Sequence, residues 1–131
     1  MSRPEAVHTE NAPRAIGPYS QAIRCGGLLF CSGQIALDPA TGEVVQGGVE
    51  AQAEQVMKNL GAVLTAGGSS WDRVVKTTIF LARMDDFGAV NTIYGRYLGD
   101  PPPARATVAA AGLPKGVLVE VEAVAACQEG S

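Results

Sequence analysis

Residues 117–127 limit the folds open to this chain more than any other stretch. Val117, Val119, Val121, Ala123 and Ala125 alternate onto one side and are all apolar, the pattern of a strand half-buried under a covering layer. Leu118, Glu120, Glu122, Val124 and Ala126 face the other way. Two carboxylates among apolar neighbours make neither a clean solvent surface nor a clean core. Two arrangements fit: a solvated face with incidental apolar residues, or a face packed on another subunit with the carboxylates lining a pocket at the seam. Residues 74–82 (VVKTTIFLA) repeat the problem, with Val75, Thr77, Ile79 and Leu81 on one side and Lys76, Thr78, Phe80 and Ala82 on the other. A two-layer domain of 131 residues has no helices left for the second side, so oligomerisation is the economical expectation.

The remaining signals alternate between strand and helix. Gly26-Gly27, between the apolar runs 22–25 and 28–31, predicts a β-hairpin, because its turn needs positive φ. Asp38-Pro39-Ala40-Thr41-Gly42 predicts a second turn. Val49, Ala53, Val56, Leu60, Val63 and Leu64 recur at helical spacing, with Gly67-Gly68 as the stop. A second helix is expected from Asp85-Asp86, carrying Phe87, Val90, Tyr94 and Leu98 inward and ending at Gly99 before three prolines. Residues 105–110 and 117–127 read as two last strands joined by a turn over 112–116. The order β-β-(β)-α-β-α-β-β predicts one α+β domain over residues 1–131, with both helices on one face of a mixed sheet. Residues 1–12 and 128–131 read as loose ends.

Composition removes several function classes. Apolar residues make up 47% and charged residues 18%, with a net charge of −3, which argues for a globular chain and against phosphate neutralisation as its main task. No apolar run is long enough for a membrane span, and the N-terminus has no apolar core of a secretory signal. Cys25, Cys31 and Cys127 are odd in number and lack CxxC spacing, so reduced thiols in a cytoplasmic protein are expected. The one histidine, His8, leaves Ser20, Ser32 and Cys31 without a credible base for nucleophilic catalysis. Metal-ligand spacings, GxGxxG and Walker A loops are likewise missing from the sequence. Carboxylate acid–base chemistry remains, with arginine and hydroxyl groups for binding.

Specific residues then carry a resemblance. Ile16-Gly17-Pro18-Tyr19-Ser20-Gln21-Ala22 resembles the opening signature of the Rid (YjgF) family, the RidA-type 2-iminobutanoate/2-iminopropanoate deaminases. The likeness continues through Ser32-Gly33-Gln34-Ile35, Val75-Lys76-Thr77-Thr78, Asp86-Phe87 with Val90-Asn91 and Tyr94, and Pro103-Ala104-Arg105-Ala106. It closes with Leu113-Pro114-Lys115-Gly116 and Glu120-Val121-Glu122-Ala123-Val124-Ala125. The blocks are collinear over residues 8–127. The resemblance implies a chorismate-mutase-like fold, a homotrimer with clefts between subunits, and no metal or organic cofactor. It implies hydrolysis of reactive enamines and imines, such as 2-aminoacrylate, to 2-keto acids and ammonia.

The resemblance also distributes roles. Arg105 is matched to the arginine that grips the substrate carboxylate, a task suited to a planar guanidinium. Glu120 is matched to the acid/base that handles the attacking water, and Glu122, two residues on and facing the same way, is expected as its structural partner. Burial at a seam would raise the Glu120 pKa and a nearby Arg105 would lower it, and the sequence leaves that balance open. Tyr19 corresponds to a pocket tyrosine, Ser32 and Gly33 to a strand end that approaches the ligand, and Asn91 to a helix residue facing the cleft. Thr107 stands where many active deaminases carry Cys, and its hydroxyl is expected to be tolerated near the carboxylate. Arg105 and Glu120 must then reach one small molecule. The alternatives are a non-catalytic trimer that binds 2-keto acids, or an endoribonuclease and translation inhibitor. The acidic balance counts against nucleic acid as a partner.

Overall fold

Strands β1 (Glu5–Val7), β2 (Ala22–Cys25), β3 (Leu28–Gln34), β4 (Val74–Leu81), β5 (Ala104–Ala109) and β6 (Val119–Ala126) form one sheet, whose single covered face packs on α1 (Val49–Ala66) and α2 (Phe87–Gly95). This computed structural model describes residues 3–128. The strand order is β1-β2-β3-β6-β4-β5, with β4 and β5 parallel and every other pair antiparallel. The parallel pair follows from α2, which carries the chain back to the start of the sheet. The α+β reading with two helices on one face therefore holds.

Local chemistry explains the elements that the pattern predicted. Gly26 and Gly27 both have positive φ (62° and 82°), the requirement of the tight turn joining β2 and β3. Along α1, Ala53, Val56, Met57, Leu60, Val63 and Leu64 are buried beneath the sheet. Shortening Leu60 to Ala would cost about 2–5 kcal/mol, because it is fully enclosed. After α1, Gly68 turns the chain with φ +81°, and Gly67 lets the backbone pass Leu29, whose side chain would lie within 2.6 Å of any Cβ there. In β6, Val119, Val121, Ala123 and Ala125 are buried, as is Val117 just before it, so the expected covered face is the observed one.

Other boundaries moved, each for a physical reason. Residues 5–7, read as part of a loose end, pair with β2, and Val7 is buried. The side chain of Gln21 holds the following loop, accepting from the Thr9 N–H at 2.7 Å and donating to the carbonyls of Thr9 and Pro13 at 3.0 and 2.8 Å. The parenthetical third strand is only a bridge between Leu37 and Val44. α2 ends at Gly95 rather than Gly99, and its N-cap Asp86 makes no side-chain capping bond. A bulge between Val74 and Lys76 puts an extra residue into β4, so Val74 rather than Val75 joins Thr77, Ile79 and Leu81 on the covered face. Residue 128 is tied down by its N–H to the Gly68 carbonyl, and 129–131 lie outside the described residues.

The uncovered face is the mixed one. Leu28, Phe30 and Val108 on it are 37–45% exposed, alongside Lys76, Thr78, Glu120 and Glu122.

Candidate active site

Glu120 lies at the start of β6, next to the point where β3 departs from regular pairing. Cys31 pairs with Ala123 and Gln34 with Val121, so three steps on β3 match two on β6. That extra residue brings Gly33 against the Glu120 carboxylate, and a Cβ at position 33 would overlap the Glu120 Oε2. Glycine here makes room for the carboxylate's close approach rather than supplying dihedral freedom. A cavity of about 540 Å³ opens beside the pair. Tyr19, Ser32, Gly33 and Glu120 line it, with Ile35 and Leu37 as apolar wall.

Buried amides hold this side of the site in place. Ser32 donates its hydroxyl to the Ser20 carbonyl at 2.6 Å, tying the Tyr19 loop to β3 and leaving its oxygen lone pairs to accept. On α1, Asn59 donates to the carbonyls of Ile35 and Leu37 at 3.1 and 2.9 Å. Gln52 accepts from the Leu118 N–H at 2.8 Å, fixing the entry to β6 two residues before Glu120. Gln21, Asn59 and Gln52 are all buried. Only a polar residue inside an apolar helical stripe could have flagged Gln52 and Asn59 from the sequence.

The Glu120 carboxyl is pushed above the ordinary carboxylate range, first by burial and then by the neighbouring Glu122 charge. Arg105 does not offset this within one chain. It stands opposite Thr77, which stands opposite Ala123, on the face that the helices cover. Glu120 stands opposite Phe80, and Phe80 opposite Val108, on the uncovered face. The two residues sit three positions along and two strands across, roughly 14 Å between Cα atoms by strand geometry, and they point in opposite directions. One chain does not bring them together.

Arg105 has surroundings of its own. Its Nη1 donates to Asn91 Oδ1 at 2.6 Å, and its guanidinium carbon lies 5.1 Å from the Tyr94 ring centre and 5.5 Å from that of Phe87. The Tyr94 hydroxyl is in turn hydrogen-bonded to Thr77 at 2.6 Å. Asn91 therefore positions the arginine, and Phe87 and Tyr94 support it, a role that the sequence reading had reduced to core packing. Thr107 lies two residues along the same face, and its Oγ1 is buried with no hydrogen-bond partner among the described residues. A planar cation with free N–H donors beside an unused hydroxyl suits a carboxylate.

Comparison with known proteins places this architecture. Residues 9–127 match the family described as Endoribonuclease L-PSP. The chain is 50% identical over 121 residues to the mouse 2-iminobutanoate/2-iminopropanoate deaminase, covering 92% of this chain and 90% of that one. It is 56% identical over 123 residues to protein DfrA of Myxococcus xanthus, covering 92% and 94% of the two chains. Among solved structures, RidA from an Antarctic Psychrobacter superposes with a TM-score of 0.89 at 42% identity, covering 93% of this chain and 98% of that one. Escherichia coli TdcF with bound serine superposes with a TM-score of 0.88 at 36% identity, covering 95% and 99%. Sequence and architecture agree, and the chain belongs to the Rid (YjgF, L-PSP) family.

Proposed function

We propose that the protein hydrolyses reactive 2-imino acids and their enamine tautomers, such as 2-iminopropanoate and 2-iminobutanoate, to 2-keto acids and ammonia. Relatives at about half identity over nine-tenths of the chain are named for this reaction. The observation that carries the reading here is the division of the site: a half-buried acid on one face of the sheet and a clamped, outward-facing cation at its far edge. The two become one site when a second copy presents its Arg105 edge to the Glu120 cavity. The uncovered face, with its exposed Phe30 and Val108, supplies apolar surface for that contact. The family resemblance favours three copies, closed in a ring of repeated head-to-tail interfaces.

In this arrangement the arginine of a neighbouring copy holds the substrate carboxylate bidentately, aided by the Thr107 hydroxyl. Glu120 takes a proton from water as the oxygen bonds to C2 and passes it to the imine nitrogen, giving a carbinolamine. It then takes the carbinol hydroxyl proton as the C=O bond forms and gives it to the nitrogen as the C–N bond breaks, so water and imine become keto acid and ammonia. A carboxyl raised above its usual range is suited to both halves of that cycle. Tyr19 and the Ser32 lone pairs face the nitrogen. No metal or organic cofactor takes part, and the free thiols of Cys25, Cys31 and Cys127 fit a reducing, cytoplasmic setting.

The test is ammonia release from 2-aminoacrylate generated in situ. Glu120→Gln should lower kcat/KM by about 10²–10⁴-fold. Wild-type release no faster than buffer, or a Glu120→Gln variant as fast as wild type, would end the reading. Binding of 2-keto acids without turnover would leave a regulatory trimer in its place. RNA cleavage dependent on Arg105 and Glu120 would replace it with a nuclease.

A further inference from the structure

Two cations line the Glu120 cavity that the reaction above does not use. Arg14 reaches it from the Tyr19 loop and Lys115 from the turn Pro114–Gly116 that precedes β6. Both are exposed, and neither takes part in an ion pair or side-chain hydrogen bond among the described residues. Neither neutralises Glu120, whose carboxyl responds to burial and to Glu122. Both side chains are therefore free to meet a ligand.

The backbone holds each of them in place. Gln21 Nε2 donates to the Ala12 and Pro13 carbonyls at 3.3 and 2.8 Å, fixing the residue immediately before Arg14. Lys115 has φ 57° and ψ 19°, the one non-glycine residue with positive φ among those described. A left-handed lysine is disfavoured intrinsically, and such conformations persist where the surroundings enforce them, often at ligand sites. Open on one side, the cavity of about 540 Å³ lies within the size range of small-ligand sites.

Building on the deaminase reading, we infer that Arg14 and Lys115 form a second anion subsite in this cavity, which selects imino acids carrying a carboxylate at the far end of the side chain. The substrate class is the imines of acidic amino acids, 2-iminosuccinate and 2-iminoglutarate. The α-carboxylate goes to Arg105 of the neighbouring copy, the imine carbon lies by Glu120, and the distal carboxylate lies between Arg14 and Lys115. Specificity then comes from residues remote from the bond that breaks.

The experiment compares kcat/KM for imines made in situ from glutamate and from alanine by an amino-acid oxidase. Its variants are Arg14→Gln and Lys115→Asn, the latter because asparagine tolerates the left-handed backbone. A parallel titration measures affinity for 2-oxoglutarate and for pyruvate. Each variant should lower the glutamate-to-alanine ratio by about tenfold, the value of one charged hydrogen bond, and should weaken 2-oxoglutarate relative to pyruvate by a similar factor. Imine hydrolysis with both ratios unchanged overturns the subsite and leaves the deaminase standing. Failure to hydrolyse any imine, with 2-oxoglutarate binding still dependent on Arg14, removes the deaminase and keeps the subsite.

Discussion

The two halves of the site are built in different ways. Around Glu120, almost every supporting group is buried and paired within the chain: Gln21 with the N-terminal loop, Ser32 with Ser20, Asn59 with the β3 exit and Gln52 with the β6 entry. Around Arg105, support comes from α2 alone, through one hydrogen bond and two aromatic rings, on a strand that is exposed along most of its length. On the proposed reading, the first half is a preorganised pocket for the proton transfer and the second a projecting handle for the pocket of a neighbouring copy, with positional precision at the one and reach at the other.

The sharpest way to break this contrast is to ask whether the halves function in trans. Arg105→Ala and Glu120→Ala should each be inactive alone. Refolded together in equal amounts, they should recover roughly a quarter of wild-type activity, the share of interfaces that receive an intact residue from both neighbours. No recovery, with normal assembly confirmed by light scattering, would place both residues in the service of one chain. A smaller effect is expected at Gly33→Ala. The added methyl displaces the Glu120 carboxylate, a flexible side-chain end, so kcat/KM should fall by about 10²-fold while the melting temperature changes little. Activity close to wild type would mean that the acid need not occupy its observed place.

The smallest effect sharpens the electrostatics. Burial and Glu122 both raise the Glu120 pKa, so the acid limb of the pH–rate profile should lie above the ordinary carboxylate range. Glu122→Gln removes the second cause and should move that limb to lower pH, leaving the burial contribution. An unmoved limb would assign it to some other group. The sign also bears on stability: a pKa raised by folding means the fold prefers the protonated acid. Ionised Glu120 is a stability cost at neutral pH that disappears as the pH falls below the unfolded-state value.

The sequence revealed α1 and β6 because their apolar periodicities of 3.6 and 2 persist over many residues. It concealed β1, which has three residues and is followed by a loop held by the distant amide of Gln21. Twofold alternation also carries no count of inserted residues, so the bulge before Lys76 shifted Val75 to the wrong side. The candidate site was legible as a set of residues but not as an arrangement. That Arg105 and Glu120 project from opposite faces depends on β4 lying between β5 and β6, a pairing among strands that are not consecutive in the chain. Tyr94 and Phe87 looked like packing because an aromatic on an amphipathic helix is usually only that.

The outer rim of β5 has a consequence beyond the site. As an edge strand, it presents unpaired amides that offer a template to any stray extended peptide. Ala104, Ala106 and Ala109 supply little of the branched or aromatic bulk that stabilises such pairing. Arg105, set among them, adds a charge that repels further cationic strands. A guanidinium at that rim therefore also opposes edge-to-edge pairing.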